Sequence, residues 1–154
     1  MRVSDCSGRN TKHVPWSVIE RIAAATKEPN GFVFHESRVG STLVADMLAS
    51  DASNMVFSES KPPPLIASHC NGCSEEKKVA LLRTTIRAMG NSARHKRLFF
   101  KFQSSNSPNI RLFLKAFPNT PWIYLYRVRN LYDDSYAGMA LTDDGDPFLR
   151  LLIF

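Results

Sequence analysis

A chain of 154 residues with 44% hydrophobic side chains is long enough for one domain with its own core and short for two. No run approaches the ~20 apolar residues of a membrane span, and three cysteines at low density argue against a secreted disulfide framework, so a soluble protein of a reducing, cytoplasmic compartment is expected. The formal charge of +6 is uneven, because residues 77–132 hold twelve of the twenty Lys and Arg and none of the fourteen Asp and Glu. Such a field attracts an anion, except where the basic residues, such as Arg83 and Arg87 four positions apart, form the solvated face of a helix.

Residues 1–14 show no periodicity and read as a flexible arm ahead of a domain over residues 15–154. “PWSVIERIAAAT” places Trp16, Ile19, Ile22 and Ala23 at helical spacing behind Pro15, which suits a first helical position. “GFVFH” is a short β-rich run, and “STLVADMLAS” resumes as a helix with Leu43, Met47 and Leu48 on one face. “NMVFSE” predicts a second strand, and “KPPPLIASHCNGCS” a loop with at most one helical turn over residues 65–68. Within that loop Cys70 and Cys73 beside His69 could supply half of a zinc site, but no second Cys/His pair follows, so no metal is expected.

“EEKKVALLRTTIRAMG” carries Val79, Leu82, Ile86 and Met89 at helical spacing, with Gly90 as its stop. “KRLFFKF” predicts a strand, “SPNIRLFLKAF” a helix capped by Ser107 with Pro108 at its first position, and “PWIYLYRV” a buried strand. Strands alternating with helices in this way predict an α/β fold, a parallel sheet with helices on both faces. Ligands of such sheets bind beyond the carboxyl ends of the strands, where this chain places “HESRVGST”, “SESKPPP” and “YRVRN”. In “SARHKRLFFKF” basic residues alternate with aromatics, but Phe99, Phe100 and Phe102 are expected to face the sheet's core, so nucleic acid is not the expected partner.

The junction “SRVGST” joins a strand to a helix N-terminus, where unpaired amides and the positive end of the helix dipole meet. Gly40 permits close backbone approach, Ser41 and Thr42 add hydroxyls, and Arg38 adds planar cationic donors, a set suited to an oxyanion. A nucleotide-triphosphate P-loop would need a Gly near His35 and a Lys after Gly40, and has neither here. The other reading is an ordinary turn capped by Ser41.

“FVFHESRVGSTLVADMLA”, then “VFSESKPPPL”, then “RLFFKFQSSNSPNIRLFLKAFPNTPWIYLYRVRNLYDDS” resemble, in order across residues 31–138, the landmarks of the sulfotransferase family. The likeness is to the bacterial and algal branch with a “SRxGSTLL” loop, a “SEPPPL” segment and a “PWIFLYRDP” strand. It implies a P-loop NTPase-like sulfotransferase fold that moves a sulfuryl group from 3′-phosphoadenylyl sulfate to an acceptor hydroxyl or amine.

By that resemblance Arg38, Val39, Gly40, Ser41 and Thr42 grip the 5′-phosphosulfate, with Arg38 where many relatives carry lysine. Arg127 and Ser135 match the pair that holds the 3′-phosphate, Glu59 stands where a carboxylate near the acceptor is expected, and Lys101 falls in the same cleft. Val128 and Arg129 replace an acidic-proline pair, and Ser60 replaces the first proline of the second landmark. Relatives continue past the match to “LTDDGDPFLRLLIF”, whose end reads as the start of a helix. Against the resemblance the chain is therefore expected to be either a truncated sequence or fragment or a shortened member, and the alternative to transfer is an inactive nucleotide-binding or interaction module of the same fold.

Overall fold

Short β-rich runs become strands here, GFVFH being buried at four of its five residues, while the longer segments bury a single stripe. The computed structural model describes residues 13–127 and 149–153, with only the backbone of Arg127 and of 149–153. Nearly all of the expected N-terminal arm, and Ser135, lie outside the described residues. β1 (Gly31–His35), β2 (Asn54–Ser58), β3 (Arg97–Lys101) and β4 (Trp122–Arg127) form a parallel sheet in the order β2-β3-β1-β4. β5 (Leu149–Ile153) adds to β4 antiparallel, so the terminal run expected to start a helix is an edge strand. A run of that length fits either state, and pairing along β4 decides.

Register separates two layers. Phe57, Phe100 and Phe32 lie side by side on one face, and Ser58, Lys101 and Val33 on the other. The first face carries the main core, where Phe32, Phe34, Phe57, Phe100 and Phe102 meet Leu82 and Ile86 of α4 (Glu75–Met89) and Phe113 of α5 (Ile110–Ala116). Its rings pack at centroid distances of 5.0 Å for Phe34–Phe102, within the range of favourable aromatic pairs, and a slightly shorter 4.3 Å for the tilted Phe102–Phe113 pair. Phe100 and Phe102 are thus core residues with no face left for a nucleic-acid base. α1 (Trp16–Ala25) packs on α4, with Pro15 one position ahead of the helix as its N-cap.

The second face carries α2 (Ser41–Ala49), whose Val44 and Leu48 cover Val33, Val39 and Leu125. The expected inward face was a different one: Leu43 is 63% and Met47 66% exposed. Leu43–Met47 and Val44–Leu48 are equally apolar stripes, so the pattern alone does not choose between them. Val39, buried in the preceding loop against the second stripe, sets the rotation of the helix.

Two further segments depart from expectation for local reasons. The triple proline does not break a helix but begins one: α3 (Pro62–His69) places Pro62, Pro63 and Pro64 in its first turn, where amides have no intrahelical acceptor. Leu65 is the first residue that must donate, and its amide reaches the Lys61 carbonyl at 3.1 Å. Ser107 caps no helix, since a 3-10 helix over Ser104–Asn109 precedes α5 and the Ser107 hydroxyl donates instead to the His35 carbonyl at 3.2 Å. Gly90 ends α4 as expected, at an ordinary φ of −77°, and a Cβ there would require the end of the Leu98 side chain of β3 to move.

Cys70 and Cys73, weighed above as metal ligands, are joined by a disulfide between α3 and α4. Arg83 and Arg87 are not a solvated face. Arg83 Nε donates to the Ala116 carbonyl at the end of α5 (2.9 Å), and Arg87 Nη2 donates to the Thr26 carbonyl at the end of α1 (2.9 Å). Lys78 Nζ reaches the Ala67 carbonyl in the last turn of α3 at 3.4 Å. Three cations of α4 therefore meet the negative ends of three neighbouring helices. Among the described residues no helix is long and apolar enough to cross a membrane.

Candidate functional site

β1 and β3 are neighbours whose following helices leave toward opposite faces, α2 on one and α5 on the other. That divergence opens a crevice at their carboxyl ends, the place where parallel α/β sheets hold ligands. A cleft of about 360 Å³ occupies it, walled by the 37–42 loop, by Glu59 beyond β2, by His35 and Lys101 at the ends of β1 and β3, and by Gln103, Ser104 and Ser105. A second cleft of about 340 Å³ lies at the amino ends of the strands and shares none of these residues.

The loop has the form its residues suggest. Gly40 adopts φ 83°, and a Cβ there would touch nothing within 4 Å, so the backbone angle rather than crowding asks for glycine. Arg38 is also left-handed, at φ 60°, and makes no hydrogen bond or ion pair with the described residues. Between them the buried Val39 anchors the loop on the second core, so its contribution to the cleft is main chain rather than side chain.

Gly40, not Ser41, is the N-cap of α2, and no side chain caps the helix. Ser41 is buried and Thr42 exposed. Leu43 is the first amide to close on a carbonyl, that of Gly40 at 3.0 Å, which leaves the Ser41 and Thr42 amides without an intrahelical acceptor. The local chemistry is that of a helix start whose donors are not consumed by a cap.

Glu59 leaves β2 through a second left-handed residue, φ 56°, with its amide donating to the Lys101 carbonyl at 2.8 Å. Its carboxylate receives the ammonium of Lys101 in an ion pair. The pair is lopsided: the Lys101 side chain is 2% exposed and that of Glu59 42%. Burial of Lys101 follows from β3 lying between β2 and β1, which sets it between Ser58 and Val33. A charge so enclosed needs its counter-ion in place.

His35 completes the group. Its Nδ1 lies 2.6 Å from the Glu36 carbonyl oxygen and its Nε2 4.0 Å from Glu59 Oε1. Nε2 is buried and has no hydrogen-bond partner among the described residues.

The structure thus brings Arg38, Val39, Gly40, Ser41, Thr42 and Glu59 to one cleft, and Lys101 with them. Arg127 ends β4, the strand on the other side of β1, with its side chain outside the described residues, as is Ser135. Sequence reasoning missed His35 and the 103–105 segment. A histidine closing a buried strand just before a polar turn was a usable signal for the first, while the second depends on where β3 lies in the sheet.

Fold and site together define an α/β protein with a polar cleft at the carboxyl edge of a parallel sheet. Comparison with protein-family models, with curated proteins and with solved structures finds no match to this chain.

Proposed function

We propose that the cleft binds the phosphosulfate end of 3′-phosphoadenylyl sulfate and that the protein transfers its sulfuryl group to an acceptor hydroxyl or amine. The observation that carries this reading is the meeting of Arg38, which has no ion pair among the described residues, the uncapped amides that begin α2, and the Glu59 carboxylate around one cleft. In-line transfer forms a bond from the acceptor atom to sulfur as the bond from sulfur to the phosphate oxygen breaks, and the leaving phosphate keeps the electron pair. In this reading Arg38 and the Ser41 and Thr42 amides, which line the cleft, would stabilise that growing charge, and Glu59 would receive the acceptor's proton. Arg127 and Ser135 would hold the 3′-phosphate, a role that rests on the sequence resemblance alone.

Thermal melts test the donor. Adenosine 3′,5′-bisphosphate at one hundred times its Kd should stabilise the protein by about 2.7 kcal/mol, and adenosine 5′-monophosphate at the same concentration by less. Equal shifts from the two nucleotides would remove the case for a 3′-phosphate clamp.

One observation favours a second reading, a nucleotide-binding module of the same fold without turnover. Glu59 is already held by a buried ammonium, so taking up a proton would leave Lys101 without its counter-ion. Nucleotide stabilisation without transfer from labelled donor to any of a panel of alcohols and amines would select that reading.

A further inference from the structure

We propose that anion binding in the cleft is coupled to uptake of one proton on His35, which makes His35 a second, pH-gated cation of the site. The inference rests on the reading of the cleft as an anion site and adds its regulation by pH.

A carbonyl oxygen only accepts, so the 2.6 Å contact to Glu36 requires the proton on Nδ1 and leaves the lone pair of the neutral ring on Nε2. His35 lines the cleft, and its Nε2 is buried and has no hydrogen-bond partner among the described residues. A buried acceptor without a donor is unfavourable, and here another acceptor, Glu59 Oε1, lies 4.0 Å away. A proton on Nε2 removes the conflict.

Among the described residues, the charged groups around His35 come from the elements packed beside it. From β3 comes the Lys101 ammonium, already on Glu59; from the loop before α2 comes Arg38; Glu36 contributes only its carbonyl, and Ser107 donates to the main chain of His35. The strand partners on either side, Val33 and Leu125, are apolar. In the empty cleft a protonated His35 would be a third cation around one half-exposed carboxylate. A bound dianion reverses that balance, and Nε2–H then has both Glu59 and the anion within its surroundings. By linkage, whatever raises proton affinity on binding makes anion affinity fall as pH rises through the titration of the ring.

The test uses the whole chain and three measurements. With no ligand, ring 15N shifts of labelled histidine should show the neutral His35 as the Nδ1–H tautomer. Calorimetry with adenosine 3′,5′-bisphosphate in two buffers of different ionisation enthalpy, from about pH 6 to about pH 8, should show greater proton uptake in wild type than in His35→Asn, by up to about one proton per nucleotide. Asparagine keeps a donor for the Glu36 carbonyl and lacks the second nitrogen, and the difference between proteins cancels protons taken up by the nucleotide itself.

Inorganic sulfate, which does not titrate in this range, should shift the His35 Nε2 resonance toward the imidazolium position at constant pH. This measurement on wild type decides the matter even if His35→Asn does not fold. An Nε2–H tautomer, equal uptake in the two proteins, or an unmoved resonance at saturating sulfate each overturns the inference while leaving an anion site standing. Binding of neither ligand to wild type overturns the reading of the cleft itself, and the inference with it.

Discussion

Arg38 and Glu59 are the non-glycine residues with positive φ among those described, and both line the same cleft. Each left-handed L-residue costs roughly 1–2 kcal/mol, a cost that surrounding structure must offset. The offset is visible for Glu59, in its amide bond and ion pair to Lys101, and for Arg38 in the buried Val39 beside it. Two predictions belong here. Arg38→Ala and Arg38→Gly should both weaken anion binding by about 1.5–3 kcal/mol in calorimetry, the loss of a charge-assisted hydrogen bond. In thermal melts without ligand, however, the glycine variant should be the more stable of the two by about 1 kcal/mol; equal affinity in wild type and variants would end the role of Arg38 as an anion clamp. The Lys101–Glu59 pair should be asymmetric in urea denaturation. Glu59→Gln strands a buried ammonium and should cost about 2 kcal/mol, less than a fully enclosed pair because Glu59 is partly in water, whereas Lys101→Met leaves only that half-exposed carboxylate and should cost less. The opposite order would mean that Lys101 matters for packing rather than as a charge needing its partner.

At the scale of elements, the turn from α2 into β2 is held by Asp51. Its carboxyl lies below its ordinary 3.8, chiefly through the Ser53 amide and then the Ser53 hydroxyl, with Arg97 of β3 adding. A depressed carboxyl contributes stability that is present above its ordinary value and lost as pH falls through the lower folded value. Asp51→Asn should therefore lower the melting temperature slightly in the neutral region, as expected for an exposed group, and the two curves should converge as pH falls below about 3.8, which makes the acid limb of the variant shallower. The elements themselves were largely legible. GFVFH and RLFFK are too short and too β-rich for helices, and EEKKVALLRTTIRAM repeats at helical spacing behind Ser74, whose hydroxyl accepts from the Lys77 amide. The failures share a cause, in that context outside the segment decides them. Prolines forbid a helix interior yet suit its first turn; LRLLI is a strand because β4 offers an edge; α2 has two apolar stripes and Val39 selects one.

For the whole molecule, strand order is what the sequence withholds and what builds the site. The loop at Arg38–Gly40 and the carboxylate at Glu59 announce themselves by residue type, but their meeting with Lys101 and His35 requires β3 to insert between β2 and β1, a matter of crossovers rather than of local pattern. The twelve basic residues of 77–132 were likewise visible only as a sum. Lys78, Arg83 and Arg87 are spent on the carboxyl ends of α3, α5 and α1, and Lys101 on Glu59. The hub formed by α4 has a consequence for cooperativity. When three helices end on side chains of a fourth, none of those ends can fray without first letting go of α4, and departure of α4 frees all three together. Native-state hydrogen exchange should accordingly show the last-turn amides of α1, α3 and α5 opening with the same free energy and denaturant dependence as the centre of α4. Arg87→Ala should release the end of α1 alone into a faster, local opening; three unequal rates in wild type would mean that the helices hang separately.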